Sequence, residues 1–371
     1  MNCRNTTMLK RGVYLMYCDN EYVFFPYSKE ILPVIQYYLS RGVPRENISV
    51  YGYDGDFMIG RDIGLIESND MLGIVLKENI MEKISSNQII YICSHKNHNE
   101  EILKQLVDLS LKLGNKVFCK QQLGVQLLES IKSNWKDSEI FTYCPYSDAC
   151  HRDIADEKLY TFSVPVVYIS ELVPGYLGGT SILLNLKSRL EKEGYKVLVV
   201  GKGNLMEDIS LKKFFMDLKD NFSKKILLLN HFIWHEIQKH QYDIIFVETL
   251  DTLLRYNPQI VGNGFGMYTH LLSYAIQPKY FINCISCEIH IEEKEKISQS
   301  VANLLPGCEV FSICTPQMIY EENLFEPIQI CSDFFPLNYN STIATNVRGI
   351  EKEIENVFDK LILDLKTFSI S

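Results

Sequence analysis

Val164-Pro-Val-Val-Tyr-Ile-Ser170, followed by Glu171-Leu-Val-Pro-Gly-Tyr-Leu-Gly-Gly-Thr-Ser181, decides the fold class of this chain. The first stretch is apolar and rich in β-branched residues, so it reads as a buried strand. The second is a glycine-bearing loop. Thr180 to Lys192 then puts Leu183, Leu186 and Leu190 on one helical face and stops at Gly194. Strand, glycine loop and helix in that order form the context of a phosphate loop. Glycines let the backbone approach an anion, and the first helical N–H groups and the dipole attract it.

The same rhythm runs outward in both directions. Lys196 to Val200 and Asp243 to Val247 read as strands, separated by an amphipathic helix carrying Ile226, Leu229, Ile233 and Ile237. A helix after Gly266, a strand at Tyr280 to Ile285 and a helix at Ile291 to Leu305 follow. A last helix carries Val347, Ile350, Ile354, Val357, Leu361 and Leu365. Upstream, strands are expected at Gly12 to Cys18, Ile48 to Tyr53, Gln88 to Cys93 and Lys116 to Cys119. Helices are expected at Ser28 to Arg41 and at Glu101 to Lys112, the latter with Ile102, Leu106, Leu109 and Leu113 on its apolar face. Strands alternating with helices imply parallel sheets covered on both sides. Between Tyr143 and Thr161 the alternation lapses into turn-rich and charged sequence. The fold class is therefore α/β, as two tandem Rossmann-like domains with mainly parallel sheets, 1–150 and 151–371. The second resembles a degenerate phosphate-loop domain.

Composition narrows the partners. The 371 residues carry 37 Lys+Arg against 46 Asp+Glu, a formal charge of −9, which supplies no overall field for nucleic acid or an anionic membrane. No apolar run is long enough to span a bilayer, and the short Val13 to Cys18 run breaks at Asp19, unlike a signal peptide. Eleven cysteines, several inside apolar runs, do not form a secreted disulfide framework and point to a reducing cytosol.

Ligands in open parallel sheets bind at the carboxyl ends of strands, so three loops are candidates. In the first, Gly178, Gly179, Thr180 and Ser181 stand where a phosphate loop ends. The lysine that would meet the β/γ-phosphates is missing: with Thr180 as the hydroxyl residue, its position is Gly179. Lys202, beyond an adjacent strand, is a substitute cation. The plain alternative is a helix cap by Thr180 or Ser181. In the second, Glu248 ends a strand where a carboxylate holds Mg²⁺ directly or through water, while Asp243 lies at the wrong end. In the third, Gly262-Asn263-Gly264-Phe265-Gly266 holds three glycines in five residues, which suggests close backbone approach to a ligand or a neighbouring element, with Asn263, Gly264 and Gly266 as the contacts of a ligand. These residues are the expected ligand contacts, with a nucleotide and Mg²⁺ as the candidate ligand.

Other patterns weigh less. Gly55-Asp-Phe-Met-Ile-Gly60-Arg61-Asp62 imitates phosphate-loop spacing, but an aspartate replaces the hydroxyl and would repel phosphate. Cys284, Cys287 and His290 lack a second cysteine pair. His231, His235 and Glu236 do not follow the His-Glu-x-x-His order, and Cys144, Cys150 and His151 are loosely spaced. No metal site is expected from them.

Several stretches resemble the peptide maturation system protein family of bacterial natural-product loci, found beside radical S-adenosylmethionine maturases and small precursor peptides. Phe25-Pro-Tyr-Ser-Lys-Glu30 with Leu32-Pro-Val34 is similar to an early motif of that family. Gly60-Arg-Asp-Ile-Gly64 resembles its Gly-Lys-Asp-x-Gly loop, with Arg61 in place of the lysine. Glu193-Gly-Tyr-Lys-Val197 with Gly201, Asn230-His-Phe-Ile233 before Asp243, and Asn263-Gly-Phe-Gly266 before Ala275-Ile-Gln-Pro278 are similar to further motifs. Glu248-Thr-Leu250 departs from the family's Gly-Ile-Pro-Gly type of turn. The resemblance carries no catalytic residues with it. It implies a cytoplasmic accessory protein that binds the precursor peptide, the radical SAM maturase or both, with a ligand gate in the second domain. The alternative is a nucleotide-dependent ligase, kinase or transferase acting on the peptide.

Overall fold

A computed structural model describes residues 20–67, 71–93, 99–119, 140–142, 158–172, 178–205, 208–211, 221–254, 266–286, 289, 291–315, 320–321, 326–327 and 347–368. The expected strand at Gly12 to Cys18, most of the expected linker, and Asn263, Gly264, Cys287 and His290 lie outside them. The chain divides into two compact units: Met1–Cys144 with Asn204–Met206, and Pro145–Gly203 with Glu207–Ser371.

The first unit holds strands β1 (Glu21–Phe25), β2 (Ile48–Tyr51), β3 (Leu76–Lys77), β4 (Gln88–Ile92), β5 (Lys116–Cys119) and β6 (Ile140–Thr142). They lie in the order β3-β2-β1-β4-β5-β6, and every pair is parallel. That is the Rossmann order, with the direction of winding reversing between β1 and β4. The helices are α1 (Leu32–Ser40), the short α2 (Ile63–Glu67) and α3 (Ile80–Lys83), and α4 (Glu100–Lys112). Asn99 starts α4 by accepting the N–H groups of Glu101 at 3.1 Å and Ile102 at 3.3 Å. Its buried face is Leu103, Leu106, Val107, Ser110 and Leu111. The expected face is thus rotated: Ile102 is only partly buried against this cluster, because the sheet lies beneath the 103/107/111 stripe.

The second unit holds β7 (Val166–Glu171), β8 (Val197–Gly201), β9 (Ile209–Ser210), β10 (Ile244–Glu248), β11 (Tyr280–Ser286) and β12 (Glu309–Thr315). Their order is β12-β11-β7-β10-β8-β9, again parallel throughout. A two-stranded antiparallel pair, β13 (Tyr320–Glu321) and β14 (Glu326–Pro327), stands apart. The helices are α5 (Gly179–Lys192), α6 (Phe222–His240), α7 (Met267–Ala275), α8 (Ile291–Leu304) and α9 (Val347–Phe368). Leu183, Leu186 and Leu190 of α5 are fully buried, each contributing about 1.5–3 kcal/mol. Beyond α5, Gly194 takes a left-handed φ of 98°, and the Tyr195 N–H returns to the Leu190 carbonyl at 3.1 Å. Successive strands after β7 fall first on its β10 side and then on its β11 side. The reversal opens the ligand crevice of such sheets at the carboxyl end of β7.

Candidate functional site

Three strands deliver polar side chains to that end. β7 finishes at Glu171 and β10 at Glu248, while Lys202 follows the last residue of β8. Glu171 and Glu248 are buried. The register pairs Glu248 with Ile169 of β7. Side chains alternate along a strand, so Glu171, two residues beyond Ile169, projects from the same sheet face as Glu248. Lys202 Nζ stands 3.3 Å from Glu248 Oε1 and 3.6 Å from Glu171 Oε2. The start of α5 supplies the other two contacts. The Gly179 N–H donates to Glu171 Oε1 at 2.6 Å, and the Thr180 hydroxyl donates to Glu248 Oε1.

Two glycines allow this closure by leaving space. A Cβ on Gly201 would lie 2.5 Å from Glu248 Cβ and 2.8 Å from the Glu248 carbonyl oxygen. One on Gly179 would lie 2.9 Å from Glu171 Cγ. Cys284 of β11 pairs in register with Glu171. Its burial pushes the thiol pKa well up, and the Glu171 charge adds to that, so this cysteine is no thiolate nucleophile.

The structure brings Thr180 and Glu248 together, sets Gly179 against Glu171, and places Lys202 against both glutamates. The expected cap is corrected: the N-cap of α5 is Gly178, in the left-handed region at φ 70°, and neither Thr180 nor Ser181 caps the helix. Thr180 instead turns its hydroxyl to Glu248, and Ser181 is exposed. Gly266 belongs to a different corner. At φ 81° it precedes α7, where a Cβ would lie 2.7 Å from the carbonyl oxygens of both Thr252 and Leu253. Asp251 caps that helix by accepting the N–H groups of Tyr268 at 3.1 Å and Thr269 at 2.9 Å, and the Thr269 hydroxyl at 2.6 Å. Burial raises the Asp251 pKa, and these hydrogen bonds only partly offset it. Glycine at 266 is accounted for by this packing.

Sequence reasoning missed Glu171. A carboxylate at a strand end reads as solvated, and only the fold brings α5 back over it.

A Mg²⁺-nucleotide fits these residues poorly. In phosphate-loop enzymes a helix-start hydroxyl and a neighbouring strand's carboxylate hold the metal, as Thr180 and Glu248 are placed to do. Here, however, the chain's own Glu171 carboxylate takes the helix N–H that a phosphate would use, and the Lys202 ammonium sits against both carboxylates. Asp243, at the opposite strand end, accepts the Lys196 N–H at 2.6 Å. Among the described residues, no group of three or more His, Cys, Asp or Glu side chains is placed to hold a metal ion. Among them also, no helix is long and apolar enough to cross a membrane.

The phosphate-loop imitation in the first unit is a staple. Asp62 Oδ1 accepts the N–H groups of Gly64 at 2.9 Å, Leu65 at 3.4 Å and Leu72 at 3.0 Å. Asp62 Oδ2 accepts those of Gly73 at 2.7 Å and Ile74 at 3.0 Å. Burial opposes the charged form, but the backbone hydrogen bonds outweigh it and lower the Asp62 pKa. Ile63 to Glu67 forms the short helix α2, which the sequence reading left out. The segment also runs along β3, with the Gly60 N–H on the Leu76 carbonyl and the Leu76 N–H on the Arg61 carbonyl, both at 2.9 Å. That covers the edge of the sheet. Phe57, Leu65, Met71 and Val75 in the same segment are exposed, Phe57 at 74% and Met71 at 70%.

The Asn230 motif is structural as well. Its side chain accepts the Tyr160 N–H at 2.7 Å and donates to the carbonyls of Tyr160 at 2.9 Å and Ala275 at 2.8 Å.

No protein-family model matches the sequence, and no curated protein matches it. Among solved structures, the fold is similar to that of a DUF1611-family protein from Anabaena variabilis. That likeness has a TM-score of 0.54 at 12% identity and covers 93% of this chain and 100% of that one. A second structure, of APE1195, aligns with 56% of this chain and 98% of its own at TM-score 0.22 and 14% identity, too little to mark a shared fold. The first likeness bears on the α/β fold alone.

Proposed function

We propose that this chain is a cytoplasmic accessory protein of a peptide maturation system, acting by binding the precursor peptide or the radical SAM maturase. The motif resemblance motivates the system. The observation that carries the binding role over a catalytic one is the committed state of the second unit's site. Gly179 N–H, the Thr180 hydroxyl and the Lys202 ammonium all engage Glu171 or Glu248. A nucleotide-dependent enzyme needs those groups for phosphate and metal.

The first unit offers the contact region. Large exposed apolar side chains mark interaction sites when they concentrate, and Phe57, Leu65, Met71 and Val75 do so in one segment held by Asp62. Co-expression with the precursor peptide and maturase of a neighbouring locus, followed by affinity capture, tests the reading. The wild-type chain is expected to retain one of them, and Phe57→Ser with Met71→Ser to lose it while remaining folded. Capture of neither by the wild type refutes it.

A nucleotide-dependent ligase, kinase or transferase is the second reading. It is favoured by the Thr180–Glu248 pair, whose residue types and positions match those that hold Mg²⁺ in phosphate-loop enzymes. Activity would require Lys202 to leave Glu248 and Glu171 to leave the helix start.

A further inference from the structure

We propose that Lys202 is a tethered cation standing in the place of a divalent metal, so that the second unit keeps its phosphate-loop site closed with its own charges. Hydrogen bonds aim the two glutamates at one nitrogen. Glu171 Oε1 is fixed by the Gly179 N–H, which turns Oε2 toward Lys202 at 3.6 Å. Glu248 Oε1 receives the Thr180 hydroxyl and stands 3.3 Å from the same ammonium. One nitrogen is thus held against carboxylates from two strands, one of them bonded to a helix-start hydroxyl.

Hard divalent cations take this kind of donor set: one or two carboxylates and a hydroxyl, with water completing the shell. A lysine just past the end of the third strand makes such an ion unnecessary. Its side chain is 27% exposed while those of Glu248 and Glu171 are 2% and 7% exposed. The ammonium therefore approaches from the solvent side, the side from which an ion would arrive. Gly201, just before Lys202, leaves room for Glu248 at the carboxyl end of the sheet and so permits the closure.

Charge, not shape, then decides the occupant. With Lys202 present, a divalent ion meets a positive group among its donors. With the charge removed, the two carboxylates are left without this cation and recruit one. The chain's ligand at this site is its own lysine, and Mg²⁺ is excluded.

The test is Mn²⁺ binding by the full-length chain, followed through loss of the free-ion paramagnetic resonance signal and through thermal stability, with Mn²⁺ alone as the probe. Wild type and Lys202→Arg are expected to leave millimolar Mn²⁺ free. Lys202→Met is expected to melt at a lower temperature, to bind Mn²⁺ at least about tenfold more tightly than wild type, and to recover its melting temperature with the ion. Adding Glu248→Gln to Lys202→Met should abolish that binding. Wild-type binding as tight as that of Lys202→Met overturns the proposal. So does a folded Lys202→Met that binds none, or an unfolded one that Mn²⁺ does not restore. The inference rests on the second unit being a binding domain that does not hydrolyse nucleotides. Failed partner capture leaves the Mn²⁺ result intact, so the two fail separately.

Discussion

Each unit has one loop that resembles a phosphate loop, Gly55 to Asp62 by its glycine spacing and the loop into α5 by its strand–loop–helix context, and in both a carboxylate of the chain takes backbone N–H donors suited to an anion. At Asp62 the donors are five main-chain N–H groups and the result is a fixed staple. At Glu171 the Gly179 N–H is joined by a side-chain cation, Lys202. Main-chain donors cannot leave without unfolding the loop, whereas a lysine can rotate away. The difference separates a carboxylate that holds the fold from one that occupies a ligand's place.

The largest expected effect tests the first half of that contrast. Asp62→Ala strips five N–H groups of their acceptor, those of Gly64 and Ile74 buried, and should destabilise the first unit by about 3 kcal/mol or more. Urea unfolding of the full chain, with hydrogen exchange to localise the loss, measures it. A change under about 1 kcal/mol would mean that the staple is ornamental.

Glycines sharpen the contrast next. Gly60 has φ 84° and open space around its missing Cβ, so Gly60→Ala costs conformational strain alone, about 1 kcal/mol. Gly201 has ordinary backbone angles but a crowded Cβ position, so Gly201→Ala should cost about 2 kcal/mol by pushing Glu248 out of place. Equal melting temperatures for the two variants would remove the distinction between a glycine needed for conformation and one needed for space.

A smaller effect appears with pH. The Asp62 pKa is lowered, so its contribution is fully present above the unfolded value of about 3.9 and is lost as pH falls through the folded value. The Asp251 pKa is raised, so its contribution is fully present below about 3.9 and is lost as pH rises through the folded value. Asp62→Asn should flatten the acid loss of stability in the first unit. Asp251→Asn should remove a gain on acidification in the second. Stability curves of both variants between pH 3 and pH 7 check the opposite signs.

These residues also show what the sequence made legible. Apolar runs such as Lys116 to Cys119 and the Leu183/Leu186/Leu190 face announced their elements, because burial on a parallel sheet demands them. Glu21–Phe25 escaped notice beside the more apolar run just upstream. Glu309–Thr315 escaped because an edge strand is only half buried and its alternation is weak. On α4, leucines at nearly every turn left the buried stripe ambiguous until the sheet fixed it. At the site, Thr180 and Glu248 were legible because strand–loop–helix spacing fixes both. Glu171 was not, and the meeting of Lys202 with both glutamates depends on β10 lying between β7 and β8, which no local pattern encodes. Three glycines in five residues signal close approach to a ligand or a neighbouring element; the approach at Gly266 is to the chain's own Thr252 and Leu253 carbonyls.

The central claim is that the second unit's phosphate-loop site is filled by the chain's own charges. Its most direct test is the melting temperature of the wild-type protein with ATP or GTP, each with and without Mg²⁺. A ligand at one hundred times its dissociation constant adds about 2.7 kcal/mol, a shift of several degrees. The account predicts no nucleotide-dependent shift. A Mg²⁺-dependent rise that disappears in Glu248→Gln would contradict it.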